Sequence, residues 1–173
     1  MKGYSPIIAE IIIIVSMLVF ISFVAYMMPI EDVKSEYFTS NLVDSVNRIH
    51  IGIENVVAEL NKSVVISYSL PEDVEIGFDR NSFIIRIYSN DRSLTYSIYG
   101  IIKIKLFEMD FKHILKDISL RHINDAYIIN ITYEQVLFNP DKPSYGFLTK
   151  VLVLDSFHYE SMNGFTIDVR SIG

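Results

Sequence analysis

The sequence contains no cysteine and no tryptophan, and basic residues are outnumbered. The absence of cysteine excludes a disulfide-stapled secreted scaffold and a cysteine-ligated zinc site. There are 15 lysines and arginines against 21 aspartates and glutamates, so the net charge is −6. This balance argues against nucleic acid as a partner. Half of the residues are apolar, which is too many for a disordered chain.

One apolar run dominates the N-terminal part of the chain. It extends from Ile7 to Met28 with Glu10 as its only charge, and as a helix it would measure about 33 Å. That length matches a hydrocarbon core of about 30 Å, so the pattern predicts a transmembrane helix over 4–30. The run is longer than the ~7–15 apolar residues of a secretory signal peptide, which disfavours that alternative.

Charges on either side of the run predict its orientation. Lys2 precedes it, whereas Glu31 and Asp32 follow it. By the positive-inside rule, we expect a single-pass protein of the cell membrane. Its N-terminus would be cytoplasmic and residues 31–173 would be extracytoplasmic.

The first residues, Met1-Lys2-Gly3-Tyr4-Ser5-Pro6-Ile7-Ile8-Ala9-Glu10, combine a basic residue, a glycine and a Ser-Pro pair before the apolar run. This segment resembles the class III signal peptide of archaeal type IV pilins and pilin-like proteins. The resemblance implies a leader over 1–3 and cleavage between Gly3 and Tyr4 by a prepilin peptidase. It also implies homo- or hetero-oligomers with other pilin-like subunits, formed by an assembly platform and its ATPase.

Local features agree with a helix that begins near this position. Ser5 suits the N-cap, and Pro6 suits the first helical position, where no N–H is needed. Glu10 lies near the N-terminal end, where the helix dipole favours an anion. It either contacts a neighbouring subunit, as a glutamate does in many bacterial pilins, or remains an interfacial carboxylate.

An amphipathic pattern follows over 31–60. Its apolar residues are spaced by four and three positions, as on one face of a helix, and they are Leu42, Val46, Ile49, Ile53, Val56 and Leu60. We expect a stalk helix whose stripe packs on the chain's own downstream region, on neighbouring subunits, or on both. Gly52 should weaken this helix by about 1 kcal/mol relative to alanine.

Alternating patterns predict strands through most of 61–173. They cover Ser63–Ser69, Ser82–Tyr88, Leu94–Phe107 with a bend at Gly100, Ala126–Phe138, Phe147–Leu154 and Phe165–Val169. Residues 108–120 have helical spacing and predict a short helix. The expected fold class is α+β: a long N-terminal transmembrane and amphipathic helix, then a mainly antiparallel, β-sandwich-like head domain over 61–173.

Residues with catalytic potential form no recognisable motif. The four histidines match no known metal-ligand spacing, and no nucleophile or phosphate-binding signature is present. We therefore expect no enzyme, no cofactor and no metal site. Asn61 and Asn130 begin N-x-S/T sequences and are candidate glycosylation sites outside the cell.

These features together predict a membrane-anchored, pilin-like structural subunit of an archaeal type IV pilus-type filament at the cell surface, with a role such as adhesion. An archaellum stator-type component, or another single-pass anchored β-domain that binds envelope or ligand, is the alternative.

Overall fold

The computed structural model describes residues 6–27, 30–59, 62–146, 151–159 and 164–172, with side chains except at 6–9, 24–27, 30–33 and 157–159. The chain divides into two compact units between Tyr37 and Phe38. The elements are, in order, α1 (Pro6–Met27), α2 (Ile30–Ala58), β1 (Ser63–Ser67), β2 (Val74–Asp79), β3 (Ser82–Ile87), α3 (Arg92–Met109), β4 (Leu115–Ile123), β5 (Ala126–Tyr133), β6 (Val136–Pro140), β7 (Val151–Tyr159) and β8 (Gly164–Ile172).

The helices correct two predictions made from the sequence. Over the residues described, none of the helices combines the length and apolar character needed to cross a membrane. The predicted fold class, with its long N-terminal transmembrane helix, and the predicted single-pass localisation are therefore wrong.

The eight strands form two four-stranded sheets in the unit that begins at Phe38. The first sheet has the order β1-β7-β8-β6, and the second has the order β2-β3-β5-β4. Neighbouring strands are antiparallel except for β6 and β8, which are parallel. Buried side chains alternate with half-buried side chains along β3 and along most of β5, as expected for strands that cover a core with one face.

Helix α2 contributes one face to this core. Five residues of the predicted stripe are completely buried: Leu42, Val46, Ile49, Ile53 and Val56. The face touches both sheets, because Gly52 lies against Ile66 and Leu154 of the first sheet and His50 contacts Tyr133 of the second. The stripe therefore packs on the chain's own downstream region.

Aromatic side chains join the two sheets at one end. Phe78 of β2 packs against Phe138 of β6, with 5.1 Å between ring centroids, and against Tyr145 at 6.0 Å. The backbones of Ile76 and Tyr145 also exchange two hydrogen bonds, of 2.9 and 2.7 Å. These contacts fix β2 relative to the strand β6 of the other sheet.

The predicted strand over 94–107 is wrong, because these residues form α3. Its buried residues, Thr95, Ile98, Ile102 and Leu106, recur at three- and four-residue intervals. The apolar residues of this segment fit an alternating pattern as well, so the hydrophobic period alone is ambiguous. The deciding signal is the N-cap Asp91, whose side chain accepts a hydrogen bond from the Leu94 N–H.

The predicted helix over 108–120 is also wrong, since α3 ends at Met109 and β4 begins at Leu115. Leu115 and Ile118 are both buried although they are three residues apart, a spacing typical of a helix. The pairing of β4 with β5 shifts register between Leu115 and Asp117. Such a bulge adds one residue to the strand, so two side chains three positions apart can point to the same face.

The stretch over 126–138, predicted as one strand, divides into β5 and β6, which belong to different sheets. Gln135, with a positive φ of 58°, lies in the turn between them. The sequence pattern also missed β2, although the strands β1, β3 and β8 lie where alternation predicted them. Residues 147–150, at the start of another predicted strand, lie outside the described residues.

Gly52 generates a test of how closely α2 packs on the first sheet. A Cβ at this position would lie 2.2 Å from Ile66 Cδ1 and 3.0 Å from Ile66 Cγ1. We expect Gly52→Ala to gain less than the ~1 kcal/mol that alanine normally adds to a helix, because Ile66 must move. In an Ile66→Val background, which lacks Cδ1, the same substitution should be more favourable. Urea denaturation of the four proteins measures this coupling, and additive effects would contradict the close approach.

Candidate functional site

Most of the candidate site residues predicted from the sequence lie either outside the described residues or in the core. Gly3 and Tyr4, the predicted cleavage site, lie outside the described residues, as do Leu60 and Asn61. Glu10 is described and lies exposed on α1. The remaining stripe residues of α2 are buried in the core, so their side chains have no surface left for a contact with another subunit.

Asn130, the other candidate glycosylation site, lies within β5 and is paired with β3 and β4 on either side. Its side chain is half-buried, and its Nδ2 lies 3.4 Å from Thr132 Oγ1. A glycan at this position would have to leave the sheet between two neighbouring strands.

The described part of α1 presents an apolar surface without a polar face. Its large apolar side chains are all between 52% and 68% exposed: Ile11, Ile12, Ile13, Ile14, Val15, Met17, Leu18, Val19, Phe20, Ile21 and Phe23. Ser16 does not interrupt this surface, because its hydroxyl donates a 2.7 Å hydrogen bond to the Ile12 carbonyl of the same helix. A helix of this kind is normally covered by other apolar groups on every side.

A second feature is a buried cluster of ionisable side chains in the unit that begins at Phe38. His50 and Glu54 lie one turn apart on α2, and both are fully buried. Asp110 follows the last residue of α3 and is partly exposed. Tyr133, at the end of β5, completes the cluster and is also fully buried.

The backbone of the loop between α3 and β4 holds the carboxylates. The Lys112 N–H donates a 3.0 Å hydrogen bond to Glu54 Oε2, and the Ile114 N–H donates one of 3.1 Å to Asp110 Oδ1. Between them, His113 has a positive φ of 54°, which turns the chain back towards β4. The loop therefore orients both carboxylates through its own N–H groups.

The second contact of His50 is with Tyr133. Its Nδ1 lies 3.0 Å from the Tyr133 hydroxyl, and the two rings stack with 5.8 Å between centroids. His50 Nε2 lies 3.9 Å from Glu54 Oε1, which is too long for a hydrogen bond. Neither of these two atoms has a hydrogen-bond partner among the residues described.

Burial shifts the pKa values of His50, Glu54 and Tyr133 towards their neutral forms. It lowers the pKa of His50 from 6.5 to about 4, although the Asp110 carboxylate opposes the shift. It raises the pKa of Glu54 from 4.5 to about 8, and the adjacent Asp110 carboxyl adds to this rise. The pKa of Tyr133 is raised well above 10, first by burial and then by the two carboxylates. At neutral pH the cluster, as described without any bound ion, therefore contains a neutral His50 and a protonated Glu54.

The sequence pattern did not predict this cluster, although the spacing of two of its four residues, His50 and Glu54, was recognisable. A histidine and a glutamate four residues apart on a predicted helix share one face. Asp110 and Tyr133 are distant in the sequence, and they reach the cluster only because α3 is a helix and β5 ends beside α2. Because 94–107 was predicted as a strand and 108–120 as a helix, the sequence did not place Asp110 at the end of a helix beside α2.

Comparison with known proteins found no matching protein family, no similar curated protein sequence and no similar solved structure.

The pKa values of Glu54 and His50 predict how the free energy of unfolding depends on pH. The protein is treated with a chelator, so that no bound metal ion affects these groups. Between about pH 6.5 and 8, folded protein keeps the Glu54 proton that the unfolded chain has lost, so the free energy of unfolding should fall as pH rises. The expected loss is about 2 kcal/mol. Below pH 6.5 the opposite effect of His50 should flatten the curve.

Urea denaturation at pH 6.5 and 8.0 measures this loss, and Glu54→Gln is the matched variant because it cannot titrate. The variant should lose clearly less stability than wild type over the same interval. Equal losses in the two proteins would show that another group is responsible.

Proposed function

We propose that the protein is a structural subunit of a filament of the type IV pilus class, processed after Gly3 and assembled through α1. The observation that carries this proposal is the uniform exposure of the apolar side chains of α1 over 10–23. In this function, copies of the same helix cover one another in the centre of the filament.

The distribution of apolar side chains around α1 favours a partner that surrounds it. An amphipathic helix that docks on a single surface would alternate apolar and polar positions with a period of 3.6 residues, whereas every residue of 11–15 and 17–21 is apolar and exposed. Here Val15 is the least exposed of the large apolar residues at 52% and Phe20 the most exposed at 68%. Neighbours on several sides, as in a bundle of identical helices, can cover such a surface.

The unit that begins at Phe38 has a hydrophobic core that does not include α1. The hydrophobic core is formed by residues 42–169, all of them in the unit that begins at Phe38. This unit therefore has its own source of stability, and α1 is free to supply the contacts between copies. The N-terminal sequence from Lys2 to Ala9, which resembles a class III leader, supports the same function.

A charge in α1 tests the proposed assembly. Ile21 of α1 and Ile104 of α3 are both 62% exposed, so they form a matched pair. We expect Ile21→Asp to prevent filament formation, because a carboxylate buried among apolar helices costs several kcal/mol. Ile104→Asp should assemble like wild type. Sedimentation and negative-stain electron microscopy measure the result.

Two results would contradict assembly through α1. One is a wild-type protein that remains as single copies in solution or bound to lipid vesicles. The other is an equal effect of the two aspartate substitutions.

Processing is tested separately from assembly. Co-expression with an archaeal prepilin peptidase should give a protein that begins at Tyr4, and Gly3→Val should prevent the cleavage. Intact mass and N-terminal sequencing measure the product, with a catalytically inactive peptidase as control. A wild-type protein that still begins at Met1 in the presence of active peptidase would contradict the proposed processing.

A further inference from the structure

The cluster on α2 contains two buried polar atoms that face each other without a hydrogen bond between them. His50 Nε2 and Glu54 Oε1 belong to fully buried side chains, lie 3.9 Å apart and have no hydrogen-bond partner among the described residues. The Asp110 carboxylate faces the same point, and one ligand atom from each of the three residues lies within 4.8 Å of the others. Buried polar atoms are normally paired, so these two atoms are available to a group bound at the centre of the cluster.

The described side chains do not supply that group. The ion pairs of the described residues include none between a lysine or arginine and either Glu54 or Asp110. Lys112 is close in sequence, but its ammonium group lies over the Phe111 ring, 5.8 Å from the centroid. Its backbone N–H donates to Oε2 of Glu54, and its ammonium group acts on Glu54 only through space, without an ion pair. Oε1 is left directed at His50.

We propose that His50, Glu54 and Asp110 bind one divalent transition-metal ion, with Zn²⁺ as the best match. Imidazole nitrogen and carboxylate oxygen are both ligand types of Zn²⁺, and a site with three protein ligands leaves the fourth position to water. Bonds of about 2.1 Å in a tetrahedron place ligand atoms about 3.4 Å apart. The separation of 3.9 Å between Nε2 and Oε1 has to close by about 0.5 Å, and the separations to the partly exposed Asp110, which are within 4.8 Å, by up to about 1.4 Å.

Tyr133 acts as a positioning residue for the histidine. When Nδ1–H donates to the Tyr133 oxygen, 3.0 Å away, the lone pair of the ring is at Nε2 and points to the proposed ion. The stacked ring of Tyr133 also restricts rotation of the imidazole. Partners of this kind commonly change metal affinity 10- to 100-fold. The ion has access from the side of Asp110, which is the one partly exposed ligand.

The experiment uses the full chain, treated with chelator and desalted, and titrated with Co²⁺. Visible d–d absorption reports coordination, and Zn²⁺ is then added as competitor. We expect one equivalent of Co²⁺ in wild type, displaced by one equivalent of Zn²⁺. Glu54→Gln and Asp110→Asn should lose this absorption, and Tyr133→Phe should weaken binding 10- to 100-fold. His122→Gln is the control, because His122 is an exposed histidine on β4.

Circular dichroism of each variant establishes that it is folded, and the near-isosteric Glu54→Gln is the variant on which the conclusion depends. Absorption that persists in folded Glu54→Gln, or that disappears in His122→Gln, would overturn the proposal. So would a wild-type protein that binds no Co²⁺ or Zn²⁺. The result is independent of filament formation, because Ile21→Asp should bind metal like wild type.

Discussion

The packing of α2 against both sheets is the contact on which the second unit depends. A single helical face supplies Leu42, Val46, Ile49, Ile53 and Val56 to the core, and each of these side chains is fully buried. The two sheets are joined to each other mainly through aromatic contacts at one end, such as Phe78 with Phe138. The helix therefore provides the common surface that both sheets need, and Gly52 allows it to approach the first sheet closely.

This helix also determines where the polar cluster can exist. Its apolar face is interrupted by His50 and Glu54, which are separated by one turn and flanked by Ile49 and Ile53. Two ionisable side chains in a core lower stability unless they are satisfied, and here only one oxygen of Glu54 and one nitrogen of His50 have described partners. A sequence selected only for stability would place apolar residues at both positions, so the cluster is better explained by binding.

The sequence predicted those features that depend on local pattern. The stripe of α2 was visible because one face of a long helix is buried along most of its length, and β3 and β8 were visible because their exposure alternates. The errors occurred where two periods fit equally well. Over 94–107 the N-cap Asp91 outweighs an apparent alternation, and at Leu115–Asp117 a bulge imitates helical spacing. The cluster itself depends on Asp110 and Tyr133, whose positions follow from tertiary structure that no local pattern contains.

The order of strands in the first sheet has a consequence for how the chain acquires its structure. Strand β1 pairs with β7, so Ser63 lies opposite Asp155, and β7 and β8 together stand between β1 and β6. The surface that covers Gly52 of α2 includes Leu154, which is made late in synthesis. Contacts between such distant segments slow folding, because a long loop must close before they contribute. During synthesis the part of the α2 face that Leu154 covers therefore stays open until β7 has been made, and in that interval it needs protection from aggregation.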